Sequence, residues 1–176
     1  MGSIIKVNEY KDFNNNAIMT SDGAGNVTVN AAGLKATPAF SAYQSGNQTI
    51  DNTTNTILTF ATEVFDTDNA YDGTNKFTVP SGEDGKYVFI ANIRMDSMYN
   101  EDEIQLAFFK NGSQDSTSAT FWRVAKDNVS PAFGITGLME LAAADYIQVN
   151  TYHNRGSSRT TSAAYTAFSG YKLIGA

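Results

Sequence analysis

The sequence predicts an all-β sandwich or barrel, and three features of its 176 residues carry that expectation. Short apolar runs recur at near-regular intervals from Ala39 onward, each bounded by Gly, Asn, Asp or Pro. No segment shows the apolar spacing of an amphipathic helix. Only 17% of residues are charged, while Asn, Thr and Ser abound, and that composition suits sheets and turns better than exposed helices.

Two segments separate by pattern. Residues 1–35 hold two short β-like runs, Ile4-Ile5-Lys6-Val7 and Val27-Thr28-Val29, with turns at Asn14–Asn16 and Ser21–Asn26. So few large apolar side chains cannot bury a core alone, which makes 1–35 a docking or assembly segment that needs a neighbour. Residues 36–176 form the main domain. Its series opens with Ala39–Tyr43 and continues with Ile57–Phe60 and Lys76–Pro80. The strongest strand, Gly85–Met95, places Tyr87, Phe89, Ala91, Ile93 and Met95 on one face. Its early even positions are apolar too, so part of it is expected to be covered on both faces. Ile104, Leu106 and Phe108 alternate in the next strand, which runs into the hairpin turn Lys110-Asn111-Gly112 with Phe121–Val124 as return partner. Leu138–Leu141, Tyr146–Thr151 and Tyr165–Ile174 complete the set, with no internal repeat.

Several of these runs together resemble the globular head of the complement component one-q family, a branch of the tumour-necrosis-factor-like jelly rolls. The resemblance covers Pro38 to Ile174. It rests on Ala39-Phe40-Ser41-Ala42, on the spacing of Phe60, Asp66, Tyr71 and Phe77, and on Gly85-Lys86-Tyr87-Val88-Phe89. Leu106–Gly112, Asp145–Val149 and Thr166–Tyr171 extend it to the C-terminus. Three positions depart from the pattern. Ser81–Asp84 enlarges a loop, Ala91 replaces the last aromatic, and Ala144 stands where Gly is usual. The resemblance implies a ten-strand-class jelly roll that assembles as a homotrimer, with Tyr87, Phe168 and Leu173 at the apolar trimer base. Filling of the protomer core is the alternative for each of the three.

The remaining residues argue against catalysis. The net charge of −6 disfavours nucleic acid and anionic membrane surfaces as partners. Cysteine is absent, which excludes disulfides and thiolate zinc sites, and no apolar stretch reaches transmembrane length. The sole histidine, His153, is expected in a solvated loop, and neither Asp66/Asp68/Asp72 nor Glu101/Asp102/Glu103 sits in an apolar run that would split two carboxylate pKa values. Asp66, Asp68 and Asp72 are also the candidates for calcium, although Ala70 and Tyr71 break the EF-hand pattern. Otherwise no cofactor is expected. Asn-x-Ser/Thr sequons begin at Asn26, Asn47, Asn52, Asn111 and Asn128. With no secretory leader pattern at the N-terminus, they are read as chance.

The first 35 residues are similar to the leaders of fibre and appendage proteins in tailed bacteriophages. That resemblance implies a virion structural protein assembled in a bacterial cytoplasm, docked on other virion proteins through Ile4, Ile5 and Val7. Its trimeric head would face a host surface glycan or protein, with Tyr99, Trp122 and Tyr152 available for stacking on sugars. Two alternatives stand beside this tail-fibre expectation: a trimeric capsid decoration protein, and a soluble one-q-like ligand or recognition protein.

Overall fold

The computed structural model describes residues 7–29 and 38–174. By internal contacts the chain divides into 1–36 with 174–176, and Thr37–Leu173.

The first unit contains an antiparallel meander of β1 (Glu9–Lys11), β2 (Ala17–Ser21) and β3 (Val27–Val29). Both of its turns use one device. The Asp12 carboxylate accepts the amides of Asn14 and Asn16 and the Asn16 side-chain amide. The Asp22 carboxylate does the same with Ala24 and Asn26. Each Asp thus replaces backbone partners that the reversing chain would lack. These hydrogen bonds hold both carboxyls below the ordinary range, the Asn side-chain bond first. The two Asp-x-x-x-Asn turns, ten residues apart in the sequence, are a short repeat that composition alone does not expose. Val7 is exposed coil rather than strand, and Ile4 and Ile5 lie outside the described residues.

The second unit is a jelly-roll sandwich. One sheet runs β12 (Ala132–Leu141), β9 (Gly85–Arg94), β15 (Ala167–Lys172), β4 (Ala39–Tyr43), β7 (Thr62–Asp66). The other runs β11 (Ser113–Arg123), β10 (Glu103–Lys110), β13 (Tyr146–His153), β6 (Thr56–Ile57), with β8 (Phe77–Thr78) also on β13. β5 (Thr49–Ile50) and β14 (Arg159–Thr160) form a separate pair. Eight of these twelve strands have five or more residues, and four are two-residue bridges.

Alternation builds the core. The odd residues of β9, Tyr87 to Ile93, point inward with Phe40, Ala42 and Phe168, and meet Ile104, Leu106, Phe108, Ile147 and Val149 of the facing sheet. Gly170 stands between the rings of Phe89 and Phe40. A methyl there would lie 2.5 Å from Phe89, so the aromatic packing requires that glycine. Asn111 and Gly112 both have positive φ, 52° and 80°, the signature of the two-residue hairpin turn expected between β10 and β11.

Three local expectations are corrected. Of the Ile57–Phe60 run only Ile57 pairs as strand, together with Thr56 before it, because the chain dives inward to bury Leu58 and Phe60. β7 was not legible, since a bulge beside Ser41/Ala42 breaks its alternation and leaves Glu63, Val64 and Phe65 all exposed. β11 begins eight residues before Phe121, at Ser113, in a stretch too polar to read as strand.

Ala144 adopts φ 69°, the left-handed conformation in which a Cβ is penalised. Ala144→Gly is therefore expected to stabilise the domain by about 0.5–1 kcal/mol, the relief of backbone strain exceeding the added freedom of the unfolded chain. Urea unfolding of the two proteins checks the sign.

Candidate functional site

The outward faces of the two sheets differ in chemistry, and cross-strand register shows how. On the β12-β9-β15-β4-β7 sheet, one outward row is Leu138, Val88, Tyr171, Ala39. The next is Thr136, Ile90, Ser169, Ser41, Phe65, and a third is Gly134, Asn92, Ala167, Tyr43, Thr62. These rows contain no charged residue, in a chain that is 17% charged. Leu138 is 62% exposed, Phe65 48%, Tyr43 45% and Ile90 43%. Charges appear beyond the rows, where Lys86 pairs in register with Glu140 at one end and Arg94 with Ala132 at the other, and at the β7 edge, where Glu63 is exposed. The other sheet turns Glu103, Gln105, Ala107, Phe109, Gln148, Asn150 and Tyr152 to its outer side, a mixed set of which Gln105, Ala107 and Asn150 are buried. Large exposed apolar faces on a folded domain mark contact surfaces.

A second apolar surface lies at the β11 edge. Trp122 pairs with the core residue Ile104 and so reaches round the open side of the sandwich, where it stacks on Phe133 of β12 with ring centres 6.0 Å apart. It is still half exposed, and neighbouring Phe121 more so. Tyr99, also exposed, is occupied by the Arg155 guanidinium 3.9 Å above its ring, while Tyr152 is half-buried.

Of the three residues expected at a trimer base, two fill the protomer core, the alternative open for each. Tyr87 and Phe168 are wholly enclosed in the protomer's aromatic core, leaving no side-chain surface for a neighbouring copy. Burial, with the acidic Glu83 next in importance, drives the Tyr87 hydroxyl pKa upward, and its O–H donates to the Glu83 carbonyl at 2.5 Å. Leu173 is half-buried. Val88, next to Tyr87, and Ser169, next to Phe168, are the ones turned to the outer face.

Asp66, Asp68 and Asp72 do not converge on a cation position. Asp66 accepts the amides of Tyr71 and Asp68, and Asp72 caps Thr74, Asn75 and Lys76. Asp68 takes the Thr67 hydroxyl. Asp68 and Asp72 line an open cleft of about 640 Å³ with Glu63, Lys76 and Tyr71. Among the described residues no three His, Cys, Asp or Glu side chains form a group that could hold a metal ion, and no catalytic cluster is assembled.

His153 is not in a solvated loop. β13 continues to it, and its pairing with Ile104 turns the ring inward, where it is fully buried. The Arg155 amide donates to Nδ1 at 3.2 Å, so Nε2 carries the proton and donates to the Ile50 carbonyl at 3.0 Å. Burial above all holds its pKa below the ordinary value.

The family model for the C1q domain matches residues 39–173. The globular domain of zebrafish complement 1qA superimposes with a TM-score of 0.50 at 17% identity, covering 78% of this chain and 98% of that one. Murine APRIL gives 0.56 at 12% identity, covering 77% and 98%, and the Eiger TNF of S. frugiperda 0.54 at 10%, covering 81% and 96%. These identities establish likeness of fold. No curated protein matches the chain in sequence.

Proposed function

The chain belongs to the C1q domain family, and on that premise we propose that it is a non-enzymatic recognition or signalling ligand that acts as a soluble homotrimer outside the cell. The observation that carries this reading is the charge-free apolar face of the β12-β9-β15-β4-β7 sheet, on a domain whose family match spans 39–173. A ring of three needs two unlike patches, each protomer offering one to the next. The sheet face and the Phe121/Trp122 edge supply such a pair. Leu138, Ile90 and Phe65 are already about half covered, so burying the rest in that contact would contribute about half of the roughly 1.5–3 kcal/mol of a full burial for each. Among the described residues no helix is long and apolar enough to cross a membrane.

The expected virion role is corrected, for tail fibre and capsid decoration alike. The family found across the head is the C1q domain, and the structural likenesses are to complement and tumour-necrosis-factor-type proteins. The expected residence in a virion assembled in a bacterial cytoplasm falls with it, as does virion docking by Ile4, Ile5 and Val7. The soluble one-q-like alternative is the reading that the fold favours.

Hydroxyl-radical footprinting of the full chain tests the proposed face. Tyr171 and Tyr43 are expected to oxidise several-fold more slowly than their exposure in the single chain implies, while Tyr165, 54% exposed, reacts normally. Equal reactivity per exposed area at all three would refute the contact.

A further inference from the structure

The sole histidine sits where the loops at one end of the jelly roll meet. We propose that His153 is an acid-sensitive latch: neutral, its ring ties Ile50, from which the 51–54 loop starts, to Arg155 in the 154–158 loop, and protonation releases the two loops.

Both ring nitrogens are committed to backbone. Nε2–H donates to Ile50 at the end of β5, and Nδ1 accepts from Arg155. The His153 carbonyl accepts the Thr53 amide at 2.8 Å. Around this centre the Gly156 amide donates to Asn52 at 2.5 Å, the Ser158 hydroxyl to Asp51 at 2.8 Å, and the Arg159 guanidinium to the Ser97 carbonyl at 2.9 Å. The ring is thus the enclosed member of a cluster whose other hydrogen bonds lie nearer the surface.

A second proton has no acceptor. It must go on Nδ1, where it would point at the N–H of Arg155. The resulting cation would face Arg155 and Arg159, both of which already oppose it. Asp102 is the carboxylate that favours it, and that group is taken by the Tyr99 amide at 2.7 Å and by Arg155 at 3.3 Å. Of the other acids, Glu103 of β10 is held by Arg123, and Asp51 of the loop after β5 by Ser158. An opened loop exposes the ring to water, where it takes its proton near the ordinary pKa of about 6.5.

The sign follows from linkage. The closed form binds the proton less well than the open form, so closure is fully favoured above about pH 6.5. Below that its advantage falls by up to about tenfold per pH unit, until the closed-state pKa is passed.

Hydrogen exchange on the full chain between pH 7.5 and 5, corrected for intrinsic rates, reads the latch at the amides of Thr53, Arg155 and Gly156. Opening is expected to rise as the pH falls below 6.5, by up to about tenfold per unit, and His153→Gln, which offers a neutral donor and acceptor, is expected to abolish the rise. The proton NMR titration of this one imidazole is expected to give a pKa below 6.5 even if the variant fails to fold. Opening that does not change with pH, the same pH dependence in the variant, or a ring pKa at or above 6.5 would each overturn the latch.

Discussion

Phe168→Ala is expected to cost the domain about 3–5 kcal/mol, a large share of the 5–15 kcal/mol that holds a typical domain folded. The ring is fully buried and meets aromatic partners on every side. Its centre lies 4.8 Å from Phe40, 5.6 Å from Phe60, and 6.0 Å from both Phe89 and Phe108. Phe40 itself stacks on Tyr71 and Phe77 at 5.0 Å each, so the cavity opens inside a connected aromatic cluster. Neighbouring rings are too rigid to collapse into the space, which places the cost in the upper part of the range for such truncations. Urea unfolding at one fixed protein concentration measures it. Phe13→Ala, at a fully exposed site of the first unit, is the control and should change stability by less than about 0.5 kcal/mol.

Ile90→Asp with Leu138→Asp should abolish self-association while leaving the protomer folded. Both side chains are exposed in the single chain, so the cost to folding is small, within about 0.5 kcal/mol for each. In the proposed trimer each carboxylate would enter a contact whose three rows offer no cation. An uncompensated buried charge costs about 3–5 kcal/mol, and each 1.4 kcal/mol weakens association tenfold, so one substitution amounts to roughly two to four decades. Circular dichroism should be unchanged and the molecular mass should fall to that of one chain. Oligomers that persist in the double variant would move the contact to another surface.

Phe168 faces the core and Ile90 and Leu138 the outer side of the same sheet, and that alternation explains what the sequence reveals. The period-two stripe of β9 makes Tyr87, Phe89, Ala91 and Ile93 legible as one face, and the structure turns that face into the core. The resemblance aligns strands without fixing which face of each meets a neighbouring copy. Tyr87 and Phe168 fill the protomer core, while Val88 beside Tyr87 and Ser169 beside Phe168 turn outward, so a one-residue offset in a strand exchanges core for surface. Apolar even positions in β9 were a usable signal, since Val88 and Ile90 have no need to be apolar on a solvated face.

His153 shows the opposite difficulty. A polar residue after Thr151 reads as the end of a strand, and only the register with Ile104 turns it inward. Asp66 and Asp72 looked like free ligands because their backbone partners, Tyr71 and Thr74 among them, are set by loop shape and not by residue type. Of function, the ordered motifs from Ala39 to Tyr171 pointed to the right family. The short leader carried too little information to place the protein in a virion.

Sedimentation equilibrium of the full chain at micromolar concentration tests the central claim most directly. The proposed contact predicts three chain masses for the native protein and one for the Ile90→Asp, Leu138→Asp variant. A native protein that stays well folded at one chain mass would contradict it.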